Sequence, residues 1–175
     1  MAVEFDSNLD GTVSAKKLPD NTIKVRQLLL SEVLTKVHGA KSKAQKIKIL
    51  QEEDCSALRQ ICKWSFDPKI ESELPSGTPP YVQNEAPEGT EHMLLRTEGD
   101  KLWHFIKSNG KSADPNLQST VRERMFIRLL EGLHKDEAEL LCAVKDKRLH
   151  QVYKGLSTQV VIEAFGWNED YMLSK

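Results

Sequence analysis

The chain has 175 residues, of which 39% are hydrophobic and 29% are charged, and its formal net charge at pH 7 is −1. These values predict one soluble domain with a packed core and a tail, and so small a net charge selects no class of partner. No apolar run is long enough to cross a membrane, and the first residues lack the basic and apolar regions of a secretory signal. The three cysteines lack zinc or redox spacing, which indicates reduced thiols in the cytoplasm.

The chain is expected to begin with a flexible N-terminal arm over residues 1–21, which lack helical periodicity and are rich in Asp, Asn and Ser. A helical domain is expected over 22–170. Within the arm, residues 6–14 match the opening of an EF-hand calcium loop, with a glycine at the sixth position. The twelfth position is Lys17, where calcium needs a bidentate glutamate. The match is therefore interpreted as chance similarity, and no metal site is predicted.

Apolar residues that recur every four positions predict a first amphipathic helix, which ends at Gly39, a residue suited to a left-handed C-cap. Ser42 is expected to cap the second helix through its side-chain oxygen. A third helix begins at Asp54 or Ser56 and stops at Asp67, because the residue before a proline avoids helical backbone angles.

Five of the seven prolines lie within residues 67–90, which predicts a long irregular loop that rests on the body of the domain. Helical patterns return in five later segments, at these positions: 91–97, 101–108, 117–133, 136–144 and 157–165. An Asn-Gly pair ends the second of them. No stretch alternates between apolar and polar residues over a useful length. The predicted fold class is therefore all-α, a compact bundle of about six to eight helices with a long Pro-rich loop.

No complete catalytic or metal-binding pattern is present in the sequence. The five histidines lack the spacing of helical metal ligands, and His134 is expected to bond exposed backbone carbonyls at a helix junction. The motifs of a serine nucleophile, a dinucleotide-binding loop and a phosphate-binding loop are also absent. We therefore predict a protein that is not an enzyme and needs no cofactor.

Charge is distributed unevenly along the chain. Residues 24–50 hold seven basic residues and one acid, whereas residues 66–100 hold two basic residues and eight acids. A third stretch, 145–154, is basic again. Such runs often form only a solvated helix face, and the functional alternative is a surface that contacts phosphates. That surface would contain Lys41, Lys43, Lys46, Lys145, Lys147, Arg148 and Lys154.

Four stretches of the chain resemble a family of small uncharacterised proteins of T-even-like phages. These stretches are Phe66–Ile70, Ala86–His92, Leu129–His134 and Ala143–Lys147. The similarity extends from Leu28 to Phe165 and implies no particular activity. It does imply that the protein acts in the cytoplasm of an infected bacterial host cell.

The order of segments is also similar to the N-terminal, all-helical DNA-binding domain of the T-even phage ATP-dependent DNA ligase. A leading helix precedes a link rich in Ser and Lys, Gly39–Lys43, and the chain closes with a glycine turn and a helix over Tyr153–Phe165. The K-x-D-G motif, whose lysine forms the adenylate in ligases, is absent, and the acids Glu137 and Glu139 depart from the family pattern. The resemblance implies a relative of this domain that stands alone, without the catalytic module, and binds the duplex backbone across the minor groove. It adds Ser157, in the closing turn, to the candidate DNA contacts.

Two functions follow from these patterns. The first is a non-catalytic phage accessory protein that binds duplex DNA without sequence preference, through contacts from Lys and Arg to phosphate. The alternative is a protein–protein interaction module that acts on phage replication or host machinery and does not bind DNA. The two differ in whether the basic segments 24–50 and 145–154 meet on one face.

Overall fold

The computed structural model describes residues 27–87 and 93–166. Within them the chain forms eight α-helices: α1 Leu30–Gly39, α2 Lys43–Glu52, α3 Ser56–Phe66, α4 Leu95–Glu98, α5 Ser119–Gly132, α6 Lys135–Lys145, α7 Leu149–Val152 and α8 Thr158–Phe165. A 3₁₀ helix covers Gly99–Phe105. The expected arm, with its EF-hand-like loop, and the end of the expected domain lie outside the described residues. No helix in the described part is long and apolar enough to cross a membrane.

The expected all-α class needs a correction, because this mostly helical chain also contains a small antiparallel sheet. Its strands are β1 Ile70–Ser72, β2 Ile106–Ser108 and β3 Lys111–Ser112, in the spatial order β1-β2-β3. Ser108 of β2 pairs with Ile70 on one side and with Lys111 on the other. Strands of two or three residues are too short to show the alternation of apolar and polar residues that marks a strand in a sequence.

The segment expected to be helical over 101–108 instead runs from the 3₁₀ helix into β2. Asn109 and Gly110 connect β2 to β3 as a two-residue turn, and both have positive φ angles, 51° and 76°. A type I′ hairpin turn needs positive φ at both central positions, and Asn-Gly is the pair most suited to it. This Asn-Gly pair is therefore the turn of a hairpin and not the end of a helix.

The helix boundaries follow local capping chemistry. Ser42 Oγ accepts a hydrogen bond from Gln45 N at 3.2 Å, which confirms the predicted cap of α2. The third helix starts at Ser56, one of the two expected positions. The left-handed C-cap expected at Gly39 is not formed, because Gly39 is the last helical residue and Ala40, with extended backbone, follows it.

The core is built around α3, which packs against α4, α6 and the 3₁₀ helix. Trp64 of α3 stacks on Phe105 with 6.5 Å between ring centroids, and Phe105 meets Phe126 of α5 edge-on at 5.3 Å. All three rings are buried. Trp64 Nε1 donates a hydrogen bond to Ser72 Oγ at 2.9 Å, so the polar atom of the ring keeps a partner. This aromatic cluster therefore joins the helices to the sheet.

A buried carboxylate fixes α1 relative to α4 and α6. Glu137 Oε1 accepts a hydrogen bond from Leu30 N, and Glu137 Oε2 accepts one from Leu95 N, both at 3.0 Å. Leu30 and Leu95 are the first residues of α1 and α4, so the carboxylate lies at the positive ends of two helix dipoles. Glu137 departs from the ligase-like pattern, but its charge is used inside the protein to hold α1 in place.

Residues 73–87 form neither helix nor strand and lie along α5 and α6. Leu74 is buried. Gly77 N donates a hydrogen bond to Asp146 Oδ2, and Val82 N donates one to Glu131 Oε1, both at 3.2 Å. Acidic side chains at the helix ends thus hold this segment by its backbone. Residues 88–90 of the expected loop lie outside the described residues.

Candidate nucleic-acid interface

Helices α2 and α8 pack against each other, which brings an early and a late part of the sequence together. Lys43 Nζ is 2.6 Å from Glu163 Oε1, and Gln51 Nε2 donates a hydrogen bond to Ala164 O at 3.2 Å. The Lys43 and Glu163 side chains are 45% and 43% exposed. An ion pair this exposed contributes little to stability, so Lys43 can exchange Glu163 for another anion at small cost.

Lys46 lies directly against the link between α7 and α8. A Cβ atom at Gly155 would be 2.8 Å from Lys46 Nζ and 3.2 Å from Val37 O. The flexible Lys46 side chain could move aside, so the tighter restriction on a side chain at this position comes from the Val37 backbone carbonyl. Lys154 precedes Gly155 in the chain and is exposed. Two lysines from distant parts of the sequence therefore lie beside the same link.

These contacts define one basic face, which we call the α2–α8 surface. Its members are Lys43, Lys46, Lys154 and Ser157, together with Lys41, which is included because it directly precedes Ser42, the cap of α2. Among the described residues, Lys41, Lys46 and Lys154 have no carboxylate within ion-pair distance. Ser157 Oγ accepts a hydrogen bond from Val160 N at 3.3 Å and so caps α8. The surface therefore combines cations without acidic partners and a helix N-terminus, where the helix dipole favours anions.

The second predicted group of cations, at the end of α6, has a different environment. The Lys145 side chain is only 1% exposed. Its Nζ donates hydrogen bonds to Pro75 O at 2.7 Å and to Asp146 Oδ1 at 2.6 Å. The prediction of Lys145 as a surface contact to phosphate is corrected, because its ammonium group is buried and already bound.

Lys147 and Arg148 also interact with other parts of the protein. Lys147 has a left-handed backbone, with φ 56°, and its Nζ donates a hydrogen bond to Asp67 O at 2.6 Å. Partial burial lowers the pKa of Lys147 below its usual range. Arg148 is exposed, and its guanidinium is 3.4 Å from Asp146 Oδ2. Because Asp146 also binds Lys145, one carboxylate partly neutralises two of the three cations.

The structure thus places Lys43, Lys46, Lys154 and Ser157 around α2, α8 and the link before α8, with Lys41 beside them in the chain. The other three predicted contacts lie at the end of α6. Three residues that shape these environments were missed in the sequence: Asp146, Gly155 and Glu163. Glu163 is 120 positions from Lys43, so no local pattern could pair them. Gly155 could have been noticed in the sequence as an isolated glycine before a helix, because glycine often marks a close backbone approach.

No group of three or more His, Cys, Asp and Glu side chains in the described part of the chain could hold a metal ion. His134 Nδ1 accepts a hydrogen bond from Asp136 N at 3.2 Å and caps the start of α6, whereas the sequence suggested bonds to carbonyls. His104 Nδ1 is 2.7 Å from Asp114 Oδ2, and its ring stacks on Trp103 at 3.9 Å between centroids. Both histidines therefore have local structural partners.

The chain belongs to DUF6433, a family of unknown function, whose family model matches residues 33–151. The match includes Lys41, Lys43 and Lys46 and ends before Lys154. No curated protein and no solved structure matches the chain. Membership of the family assigns no activity, so function has to be argued from the geometry.

Proposed function

We propose that this protein binds duplex DNA without sequence preference and without catalysis, through phosphate contacts from the α2–α8 surface. The observation that carries the proposal is that Lys41, Lys46 and Lys154 share this surface and have no carboxylate partner among the described residues. Ammonium groups that contact phosphates release the counterions held by DNA, and this term favours binding to any sequence.

The resemblance to the ligase DNA-binding domain extends the proposal to a phage accessory protein in the cytoplasm of an infected bacterium. A mostly helical fold supports this extension, as does the glycine link at Gly155 that leads into α8. The small three-stranded sheet is a departure from an all-helical domain.

The number of phosphate contacts is expected to follow from the number of lysines that are not bound within the described part of the protein. The cations at the end of α6 are bound to other parts of the protein, which leaves Lys41, Lys46 and Lys154, with Lys43 as a fourth if it leaves Glu163. Each phosphate contact contributes about −0.9 to the slope of log K against log salt concentration, so we expect a slope of about −3 to −4.

Fluorescence anisotropy with two labelled duplexes of unrelated sequence, measured from low to moderate salt, tests this proposal. Both duplexes should bind with the same dissociation constant, on the order of 10⁻⁶ to 10⁻⁴ M, and with the same salt slope. A marked preference for one duplex would contradict binding through phosphates alone. Absence of binding at low salt would reject DNA as the ligand and favour a protein-interaction module.

A further inference from the structure

A groove with an apolar floor and an acidic rim lies between α1, the start of α6 and the end of α7. Its volume is about 440 Å³. The floor is formed by Leu28, Leu140, Val152 and Tyr153. The rim carries three acids: Glu32, Asp136 and Glu139. One lysine, Lys36, also lines the groove, so the acids outnumber the bases three to one.

The apolar floor includes a side chain that is unusually exposed. Val152 is 53% exposed, whereas Leu140, on the neighbouring helix, is 1% exposed. The other large apolar residues that are exposed in the described part of the chain, Val82, Leu94 and Ile162, do not line this groove. Val152 therefore leaves apolar area open on a concave, helix-lined surface, where the apolar face of another helix could cover it.

The acidic rim makes the groove unsuitable for DNA and complementary to a cationic partner. Glu139 is exposed and has no ion-pair partner among the described residues, and the Asp136 side chain is 54% exposed. Burial, followed by the charges of Asp136 and Glu139, raises the pKa of Tyr153 to about 12. The field of both carboxylates therefore reaches the floor of the groove.

We infer that this groove docks an amphipathic, basic helix of a separate protein. The apolar face of that helix would cover Val152 and Tyr153, and its Lys and Arg residues would lie against Asp136 and Glu139. The inference rests on charge complementarity and on the helix-lined shape of the groove. It does not depend on DNA binding, which uses the α2–α8 surface.

The probe for this inference is a fluorescein-labelled peptide of about 15 residues, built from Leu and Lys at helical spacing, since shorter helices are marginal in water. It should bind the protein at low salt. Glu139→Lys and Val152→Asn should each weaken binding by about tenfold, the effect of losing one well-placed contact, and Asn removes the apolar contact without adding charge. The milder variants Glu139→Gln and Val152→Ala should weaken binding less, and they show whether the larger changes act through folding. The matched controls are Glu123→Lys and Val82→Asn, an exposed acid and an exposed valine outside the groove.

Several results would overturn the inference. One is that the Leu-Lys peptide fails to bind at low salt, and another is that the groove variants and the controls lose the same affinity. A Leu-Glu peptide of the same pattern that binds as tightly as the Leu-Lys peptide would also contradict the inference. Analytical ultracentrifugation of the protein without peptide tests whether the groove is occupied by a second copy of this chain. Self-association that is lost in Glu139→Lys and Val152→Asn would assign the groove to a homodimer and not to a separate partner.

Discussion

Lys145 and Arg148 show how much the environment of a cation changes over three positions of the chain. The Lys145 side chain is 1% exposed and the Arg148 side chain 49% exposed, although both contact Asp146. The Lys145 ammonium also donates a hydrogen bond to Pro75 O, which holds the segment 73–87 against α6. Burial therefore makes Lys145 a structural residue, whereas Arg148 stays on the surface.

Replacing Lys145 with Ala should lower the free energy of unfolding by about 2–4 kcal/mol, because it removes a buried ammonium group that binds both Pro75 O and Asp146. Arg148→Ala removes the same charge from the surface and should cost less than about 1 kcal/mol. Urea denaturation of both variants measures the difference. Equal effects would show that Lys145 is not held as the structure describes.

Gly155 and Gly39 differ in the space around them. A Cβ at Gly155 would meet Lys46 and the Val37 carbonyl, whereas a Cβ at Gly39 has nothing within 4 Å. Gly155→Ala should therefore destabilise the protein by about 1 kcal/mol or less, because Lys46 can move aside and the Val37 carbonyl has to shift only slightly. Gly39→Ala should stabilise it by about 0.5–1 kcal/mol, because Gly39 is helical and alanine restricts the unfolded chain. Thermal melts that place the two variants in the opposite order would refute the close packing of Lys46 on the α7–α8 link.

Among the helices, Glu137 connects the starts of α1 and α4, which no pattern in the sequence indicates. Its two oxygens accept hydrogen bonds from the first residues of α1 and α4, which start 107 and 42 positions earlier in the chain. Glu137→Ala should cost about 2–4 kcal/mol, and Glu137→Gln about half as much, because the amide keeps one acceptor oxygen. Amide hydrogen exchange provides the specific readout. Unchanged protection at Leu30 and Leu95 in the Ala variant would exclude this role.

The elements that the sequence predicted well are those specified by local chemistry. The helix α2 begins where Ser42 caps it, and α3 ends before Pro68, since both effects act within a few residues. The hairpin around Asn109 was missed because its strands are too short for an alternating pattern, although Asn-Gly is itself a hairpin signal. The candidate site was predicted only in part. The pairing of Lys43 with Glu163 and the burial of Lys145 depend on contacts between distant segments.

Although the net charge of the whole molecule is only −1, its surface includes a basic region, the α2–α8 surface, and an acidic groove. Several acids of the segment 66–100 are engaged in ion pairs: Glu71 with Lys107, Glu73 with Arg122 and Glu98 with Lys101. The lysines of the α2–α8 surface are not neutralised in this way, apart from Lys43. The basic surface and the acidic groove adjoin at the neighbouring residues Tyr153 and Lys154.

We propose that DNA is held by Lys41, Lys46 and Lys154 of the α2–α8 surface, and not by positive charge in general. A triple variant in which Lys41, Lys46 and Lys154 become Ala should keep its fold, because these side chains make no ion pair among the described residues. A control triple removes the same charge from other exposed basic residues that likewise make no ion pair within the described part of the chain. Its members are Lys111, Arg128 and Lys135.

The most direct test is anisotropy of a labelled duplex against salt concentration for the wild type and both triple variants. The α2–α8 variant should bind more weakly, with a slope of log K against log salt flattened by about two to three units, since each lost phosphate contact removes about 0.9. The control variant should keep a slope close to that of the wild type. Equal slopes for the two triple variants would contradict the proposal that the α2–α8 surface binds DNA.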